Sequence, residues 1–526
     1  MSIDYKNKGL TLLKKGQSGI IHAVFSRFGL ILLMLIAQVL ILFSIFQWFR
    51  GVIPHIFGGT VILTSVIVVY LLNNRLNPTA KITWLIVILL LPVFGVLLFV
   101  YTQSDLGHRV LKDWTNKVIT DTKACIRQDE DVTARLAGEN GGVAALARYM
   151  SRSGCHPVYD KTAVTYFPLG EDKFDAMLRE LAAAKHFIFL EYFIVSEGIM
   201  WGRVLEILAQ KAAEGVDVRV MYDGTCEFAL LPHDYPKRLR KLGIKCKIFA
   251  PVSPFVSTHY NYRDHRKILV IDGHTAFNGG VNLADEYINK KLRFGHWKDA
   301  GVRIHGDAVF NFTLMFLEVW NAFKVPDLDY SIFRPRRWHE ETFESDGYVA
   351  PYADTPLDNE SLGENVYINI LNQAKDYVYI ATPYLLISDE MENALCLAAK
   401  RGVDVRILMP GIPDKPTVFF MAKSYYPPLL KAGVQIYEYT PGFVHAKSYV
   451  CDDRIATVGT INMDFRSLYL HFECGTFLYR CRAVLDVKKD MEECFPQCHQ
   501  VTPGDCRQGL IGNMLTSVLR VLAPLM

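Results

Sequence analysis

The stretch His265-Arg266-Lys267-Ile268-Leu269-Val270-Ile271-Asp272 decides how this chain is read. It has the form H-x-K-x4-D. The form returns 180 residues later as His445-Ala446-Lys447-Ser448-Tyr449-Val450-Cys451-Asp452. In a strand, alternate side chains point to opposite faces. His265 therefore shares a face with Lys267, and His445 shares one with Lys447. An imidazole beside an ammonium is suited to attacking and clamping a phosphate. Asp272 and Asp452 fall on the other face, at the strand end, where support suits them better than attack.

One such motif is weak evidence, since about 0.03–0.05 chance matches are expected in a chain of this length. The surrounding sequence is stronger. Gly215-Val216-Asp217-Val218-Arg219-Val220-Met221 matches Gly402-Val403-Asp404-Val405-Arg406-Ile407-Leu408 at an offset of 187. Residues 277–282 match residues 457–462 at an offset of 180, and each motif is followed ten residues after its Asp by an asparagine, Asn282 or Asn462. Internal duplication is the economical explanation. Each copy has an α/β pattern, with strands expected at 186–194, 215–221, 377–381 and 402–408 and helices at 173–184, 201–214 and 390–401. That alternation predicts a mixed sheet covered by helices in each of two pseudo-symmetric repeats.

If the repeats pack about a pseudo-two-fold axis, both histidines and both lysines meet in one pocket. Such a pocket suits phosphodiester chemistry. One imidazole attacks phosphorus, the other protonates the leaving alkoxide, and the roles reverse for an incoming alcohol. Lys267 and Lys447, with the amides of Asn282 and Asn462, are placed to stabilise phosphoryl oxygens. With two fixed cations, neither metal nor cofactor is required. Each histidine needs a partner for its second ring nitrogen. Glu473 is the candidate in the second half and Asp299 its counterpart in the first.

The 526 residues are too many for one core. The chain divides into a basic segment (1–27), a membrane region (28–101), a connector (102–150), the first repeat (151–325), a linker (326–360), and the second repeat with a C-terminal docking helix (361–526). The hydrophobic content is 51%, high for a soluble protein. Three apolar runs, 28–49, 53–72 and 82–101, are long enough to suggest three transmembrane helices. Residues 1–27 read equally as a membrane-surface helix or a solvated tail. Positive charge in the tail favours an N-terminus inside with the repeats outside. The eleven cysteines, scattered with no zinc spacing, favour free thiols and the opposite orientation. A net charge of +3 over this length gives no argument for nucleic acid.

The two H-x-K-x4-D motifs resemble those of the phospholipase D superfamily. Closer still is the bacterial cardiolipin synthase family. Asn77-Pro78-Thr79-Ala80-Lys81-Ile82-Thr83-Trp84, Ala284-Asp285-Glu286-Tyr287-Ile288-Asn289, residues 294–299, Thr382-Pro383-Tyr384 and the tail 522–526 all fit it. The resemblance runs from about residue 55 to the end. The run at 28–49 lies outside the family's two-span pattern, and the linker lacks its Gly-Pro-Asp-like start to the second half. The resemblance implies a multi-pass enzyme of the bacterial cell membrane. It would transfer a phosphatidyl group from one phosphatidylglycerol to another, giving cardiolipin and glycerol through a phosphohistidine. Family precedent makes His265 the nucleophile and His445 the general acid, which the near-equivalent repeats alone do not rank. A membrane-bound phospholipase D using water is the alternative. Oligomeric state is not readable from the sequence.

Overall fold

A computed structural model describes residues 10–12, 40, 43–44, 59–74, 77–103, 117–251, 262–322, 327, 329–340, 342–358, 360–506 and 519–520. The duplication expected from the sequence is visible in the topology. In the first repeat the strands are β1 (Thr162–Phe167), β2 (Phe187–Tyr192), β3 (Asp217–Asp223), β4 (Lys245–Phe249), β5 (Lys267–Ile271), β6 (Thr275–Gly279) and β7 (Gly301–Gly306). They form a sheet in the order β1-β7-β6-β5-β2-β3-β4. The second repeat contributes β8 (Tyr348–Asp354), β9 (Tyr377–Ala381), β10 (Asp404–Pro410), β11 (Gln435–Tyr439), β12 (Ser448–Cys451), β13 (Ile455–Gly459), β14 (His471–Tyr479) and β15 (Cys498–Gln500). Their order is β8-β14-β13-β12-β9-β10-β11-β15, the same winding with one added edge strand. β2 pairs parallel with β3 and antiparallel with β5, as β9 does with β10 and β12, so both sheets are mixed.

The motif strands are buried on both faces, which is why their sequences are continuous apolar runs. Ile268 and Val270 of β5 point into a central core shared with Val450, Ala456 and Val458 of the second repeat. The helix Val309–Asn321, apolar on nearly every side, fills that central layer. Leu269 and Ile271 face an outer core under the helices Gly170–Ala183 and Ile199–Ala213. Tyr449 and Cys451 face the equivalent outer core of the second repeat.

Two expected boundaries change. β8 lies inside the stretch expected to be a linker, as the edge strand paired antiparallel with β14. The connector does not stand apart either. Its helices Glu130–Glu139 and Gly141–Gly154 bury Val132, Leu136, Val143 and Met150 against the second repeat's outer core. All eleven cysteines are free. Of the stretch expected to form a C-terminal helix, only residues 519 and 520 are described. Leu519 packs on the second repeat and Arg520 binds Glu392 at 2.6 Å.

The expected transmembrane helices are not found as such. The run 28–49 lies almost wholly outside the described residues. The second run contains helix α1 (Gly59–Asn73), and the third is divided between α2 (Pro78–Leu90) and α3 (Pro92–Gln103). Asn77 caps α2 through the Thr79 N–H at 2.9 Å, with Pro78 at its first position. Pro92 ends it, because proline supplies no N–H to the preceding turn and forces the residue before it out of the helical region. Leu91 duly sits at φ −132°, ψ 69°. Among the described residues no helix is long and apolar enough to cross a membrane.

Candidate active site

Each histidine stands at the end of a short strand that pairs with the opposite repeat. Arg263–Asp264 runs parallel to His471–Phe472 at the start of β14, and the His265 N–H donates to the Phe472 carbonyl at 2.9 Å. Gly442–Val444 runs parallel to His296–Lys298, and the His445 N–H donates to the Lys298 carbonyl at 2.7 Å. These pairings carry each imidazole to a carboxylate of the other half. His265 Nδ1 donates to Glu473 at 2.9 and 3.1 Å. His445 Nδ1 donates to Asp299 Oδ2 at 2.6 Å. The sequence reading gave each half one carboxylate, and the fold exchanges them.

All four groups are buried. Burial pushes the Glu473 carboxyl up, but the His265 imidazole beside it outweighs that and holds the group well below the usual carboxylate range. The Thr460 hydroxyl also donates to Glu473. Burial drives both imidazoles down, His445 to about 4 with the nearby Lys447 charge adding to the effect, and His265 well below its ordinary value. Both are therefore neutral near pH 7. Burial likewise lowers Lys267 to about 8 and Lys447 to about 7. The Lys267 charge acts on His445, and Glu473 acts on Lys447, so the two half-sites share one field. Each ammonium donates to the backbone carbonyl of its own histidine.

Asp272 and Asp452 take identical places. Asp272 accepts from the N–H groups of Lys185, His186 and Phe187 at 2.7–2.9 Å. Asp452 accepts from Lys375, Asp376 and Tyr377 at 2.8–2.9 Å. Each sits at φ near +50°, a conformation that Asp tolerates well. They tie the start of the neighbouring central strand to the end of the motif strand. Asn282 is also engaged: it accepts from the Ile194 N–H at 3.0 Å and donates to the Tyr287 hydroxyl at 2.8 Å. Asn462 is buried, with its carbonyl oxygen unpaired.

Two residues escaped the sequence reading. Lys173 is fully buried, its Nζ has no hydrogen-bond partner, and Asp299 lies within its electrostatic reach. His471 has its ring 5.5 Å from that of His265 and its Nδ1 3.6 Å from Glu473. Neither ring nitrogen of His471 is hydrogen-bonded. Its place in the first half belongs to Trp297, whose ring is 5.6 Å from His445. The signal was available, since His471 and Trp297 both stand two residues before the orienting carboxylate. His265, His471 and Glu473 offer donor atoms within 4.8 Å of one another, a set that could hold a metal ion.

Comparisons with known proteins agree with this geometry. The family model described as cardiolipin synthase, PLD-like domain matches residues 177–294 and 367–495. A phospholipase D-nuclease N-terminal model matches residues 62–101. A cardiolipin synthase of Alkalihalophilus pseudofirmus is 34% identical over 487 residues, covering 91% of this chain and 95% of its own. One from Halalkalibacterium halodurans is 34% identical over 486 residues, with the same coverage. An uncharacterized protein of Streptococcus mutans is 52% identical over 460 residues, covering 87% of this chain and 99% of its own. The phosphatidylserine synthase of Haemophilus influenzae shares the fold, with a TM-score of 0.53 at 13% identity over 73% of this chain and 98% of that one. With duplicated sheets, paired motifs and relatives matched along nearly their whole length, the chain belongs to the cardiolipin synthase family of the phospholipase D superfamily.

Proposed function

We propose that this enzyme, a phosphatidyltransferase, moves a phosphatidyl group from one phosphatidylglycerol to the free hydroxyl of a second, releasing glycerol and forming cardiolipin. The exchange of carboxylates between the repeats carries the mechanism. It presents two imidazoles, each fixed through Nδ1, so that Nε2 of each is left for the substrate. His265 Nε2 attacks phosphorus and the P–O bond to the leaving glycerol breaks. His445, which takes up a proton at Nε2 once the anionic phosphodiester lies beside it, gives that proton to the alkoxide and returns to the neutral imidazole. The phosphohistidine is then attacked by the acceptor hydroxyl, whose proton returns to His445 as the P–N bond breaks. Lys267 and Lys447 hold the phosphoryl oxygens through both steps. Asn462, with its free carbonyl, belongs beside the lipid head group, whereas Asn282 braces the loop at Ile194. Asp272 and Asp452 hold the motif strands in place.

The cardiolipin synthases among its relatives support the reaction, and the apolar segments suit substrates that stay in a bilayer. Location at the bacterial cell membrane and a lack of nucleic-acid substrates are part of the same reading. Purified protein incubated with head-group-labelled phosphatidylglycerol and a chelator tests it. Cardiolipin and free glycerol in equal amounts are expected. Phosphatidic acid without cardiolipin would make water the acceptor and replace the proposal with a hydrolase.

A further inference from the structure

The two repeats differ in length between the asparagine after each motif and the carboxylate that orients a histidine. Asp299 follows Asn282 by 17 residues, whereas Glu473 follows Asn462 by 11. In the second repeat the helix Phe465–Tyr469 fills that interval and buries Phe465, Ser467 and Leu468. The six additional residues of the first repeat make room for a projecting loop, Lys290-Lys291-Leu292-Arg293-Phe294-Gly295. Packing alone does not call for it, since the second repeat closes without one.

The loop is pinned at its base. The Asn289 side chain donates to the Trp297 carbonyl at 3.1 Å and accepts from the Trp297 N–H at 2.8 Å. Phe294 and Gly295, at φ 60° and 71°, turn the chain back. What the loop holds out is Leu292, 86% exposed and set among three cations. Lys290 and Lys291 are exposed, and the Arg293 guanidinium, 3.3 Å from Glu286, lies 5.2 Å from the Phe294 ring. The second repeat adds Ile412 to the same surface. Its N–H donates to the Gly442 carbonyl at 3.1 Å, and a Cβ on Gly295 would lie 3.0 Å from its Cδ1. Ile412 is 41% exposed, and nearby Lys415 is exposed with its Nζ 4.9 Å from the Tyr384 ring.

This surface is the rim of the site on the His445 side. The Phe294 ring lies 6.4 Å from Trp297 and 6.2 Å from Phe443, and those rings lie 5.6 and 5.8 Å from His445. We propose that residues 290–294, with Ile412 and Lys415, dock on the anionic surface of a phospholipid bilayer. Leu292 and Ile412 enter the boundary between head groups and acyl chains, while the lysines and Arg293 meet lipid phosphates. An acidic protein or a nucleic acid would match the charge but leave Leu292 and Ile412 without an apolar partner. The proposal rests on the reading of the substrates as bilayer phospholipids, and it supplies an orientation for them. With the rim seated on the leaflet, a lipid brings its head group to His445 while its acyl chains stay in hydrocarbon.

The test reads contact rather than turnover. The full-length protein is reconstituted into phosphatidylcholine vesicles with and without phosphatidylserine, together with a phosphatidylcholine tracer that carries a diazirine in its acyl chain. After irradiation, peptide mass spectrometry locates the label, and label within residues 59–103 measures incorporation. Label is expected at residues 290–294 and at Ile412 when phosphatidylserine is present. It is not expected at Leu397 or Leu485, each 52% exposed on the helices Asp389–Lys400 and Arg482–Cys494. A cation at an anionic surface is worth about fivefold in association, so Lys290→Gln with Lys291→Gln should weaken docking by about 25-fold. Loop label then falls while label in 59–103 holds. Leu292→Ser should have the same effect without changing charge, and all three side chains are exposed, so folding is not at stake. Absence of label from 290–294 in the parent protein would overturn the proposal. So would equal label with and without phosphatidylserine, or label at Leu397 and Leu485 matching that at Leu292. Cardiolipin formation from added phosphatidylglycerol is measured in the same vesicles. Cardiolipin without loop label counts against docking, and loop label without cardiolipin counts against the reaction.

Discussion

Replacing Glu473 with glutamine tests the exchange of carboxylates at the point where it matters most. The side chain is fully buried, accepts twice from His265 Nδ1 at 2.9 and 3.1 Å, and is held ionised by that contact. Glutamine keeps the shape and one acceptor but removes the charge. A hydrogen bond to a charged group contributes about 1.5–3 kcal/mol. At about 1.4 kcal/mol per tenfold in rate, its loss alone slows the reaction by about 10- to 150-fold. The imidazolium character that develops on His265 as the phosphohistidine forms also loses its counter-charge, and comparable substitutions in other histidine systems reach about 10⁴-fold. The expected fall in kcat is therefore about 10²- to 10⁴-fold, with KM for phosphatidylglycerol changed by less than about threefold. Single-turnover cardiolipin formation in mixed micelles measures both. Asp299→Asn should act with similar size through His445. The decisive comparison is chemical trapping. With His265 as nucleophile, Glu473→Gln slows appearance of the acid-labile phosphoenzyme, whereas Asp299→Asn also impairs its discharge to the acceptor. Activity of Glu473→Gln within threefold of the parent would refute the orienting role.

Asp272→Ala should lower stability by about 2–3 kcal/mol, since three N–H groups lose a charged acceptor and that of buried Phe187 gains no water. Denaturant unfolding in detergent measures this, and kcat per folded molecule should stay within about threefold. A pH dependence follows from the lysines. Burial lowers Lys447 to about 7, so its charge is present below that pH and lost above it. The fall in kcat/KM should begin near pH 7, and Lys447→Arg should move it towards about 8, where Lys267 discharges. An unmoved limb would remove Lys447 from phosphate binding. Added Zn²⁺ should inhibit by occupying His265, His471 and Glu473, and His471→Asn should raise the inhibitory concentration by about 10- to 100-fold. Equilibrium dialysis of the metal checks the same point without turnover.

Much of this was legible in the sequence because it was written twice. The strands at 377–381, 187–192 and 217–223 fall within two residues of their expected places, since the apolar strand pattern marks all three and Gly215 punctuates the start of the last. β8 was not legible. Pro351 and the polar residues around it read as linker, and a proline is accommodated there because β8 is an edge strand. The third apolar run was read as one continuous segment and forms two helices. Its length suggested a span, while the single Pro92 that breaks it weighs little in any count of hydrophobicity. The exchange of Glu473 and Asp299 could not be read at all. Spacing within each half is silent on which half a side chain reaches.

The two inter-repeat strand pairs, Arg263–Asp264 with His471–Phe472 and Gly442–Val444 with His296–Lys298, are copies of one contact. They have the reciprocity of an isologous dimer interface, in which each partner completes the other. This chain is in that sense a homodimer joined by a linker, and neither half, made alone, would own a finished histidine. Joining has a further consequence. Two identical subunits must carry the same residue at equivalent places, but a fused pair is free to diverge. His471 beside one imidazole and Trp297 beside the other are that divergence, and they give a symmetric ancestor's interchangeable histidines two separate identities.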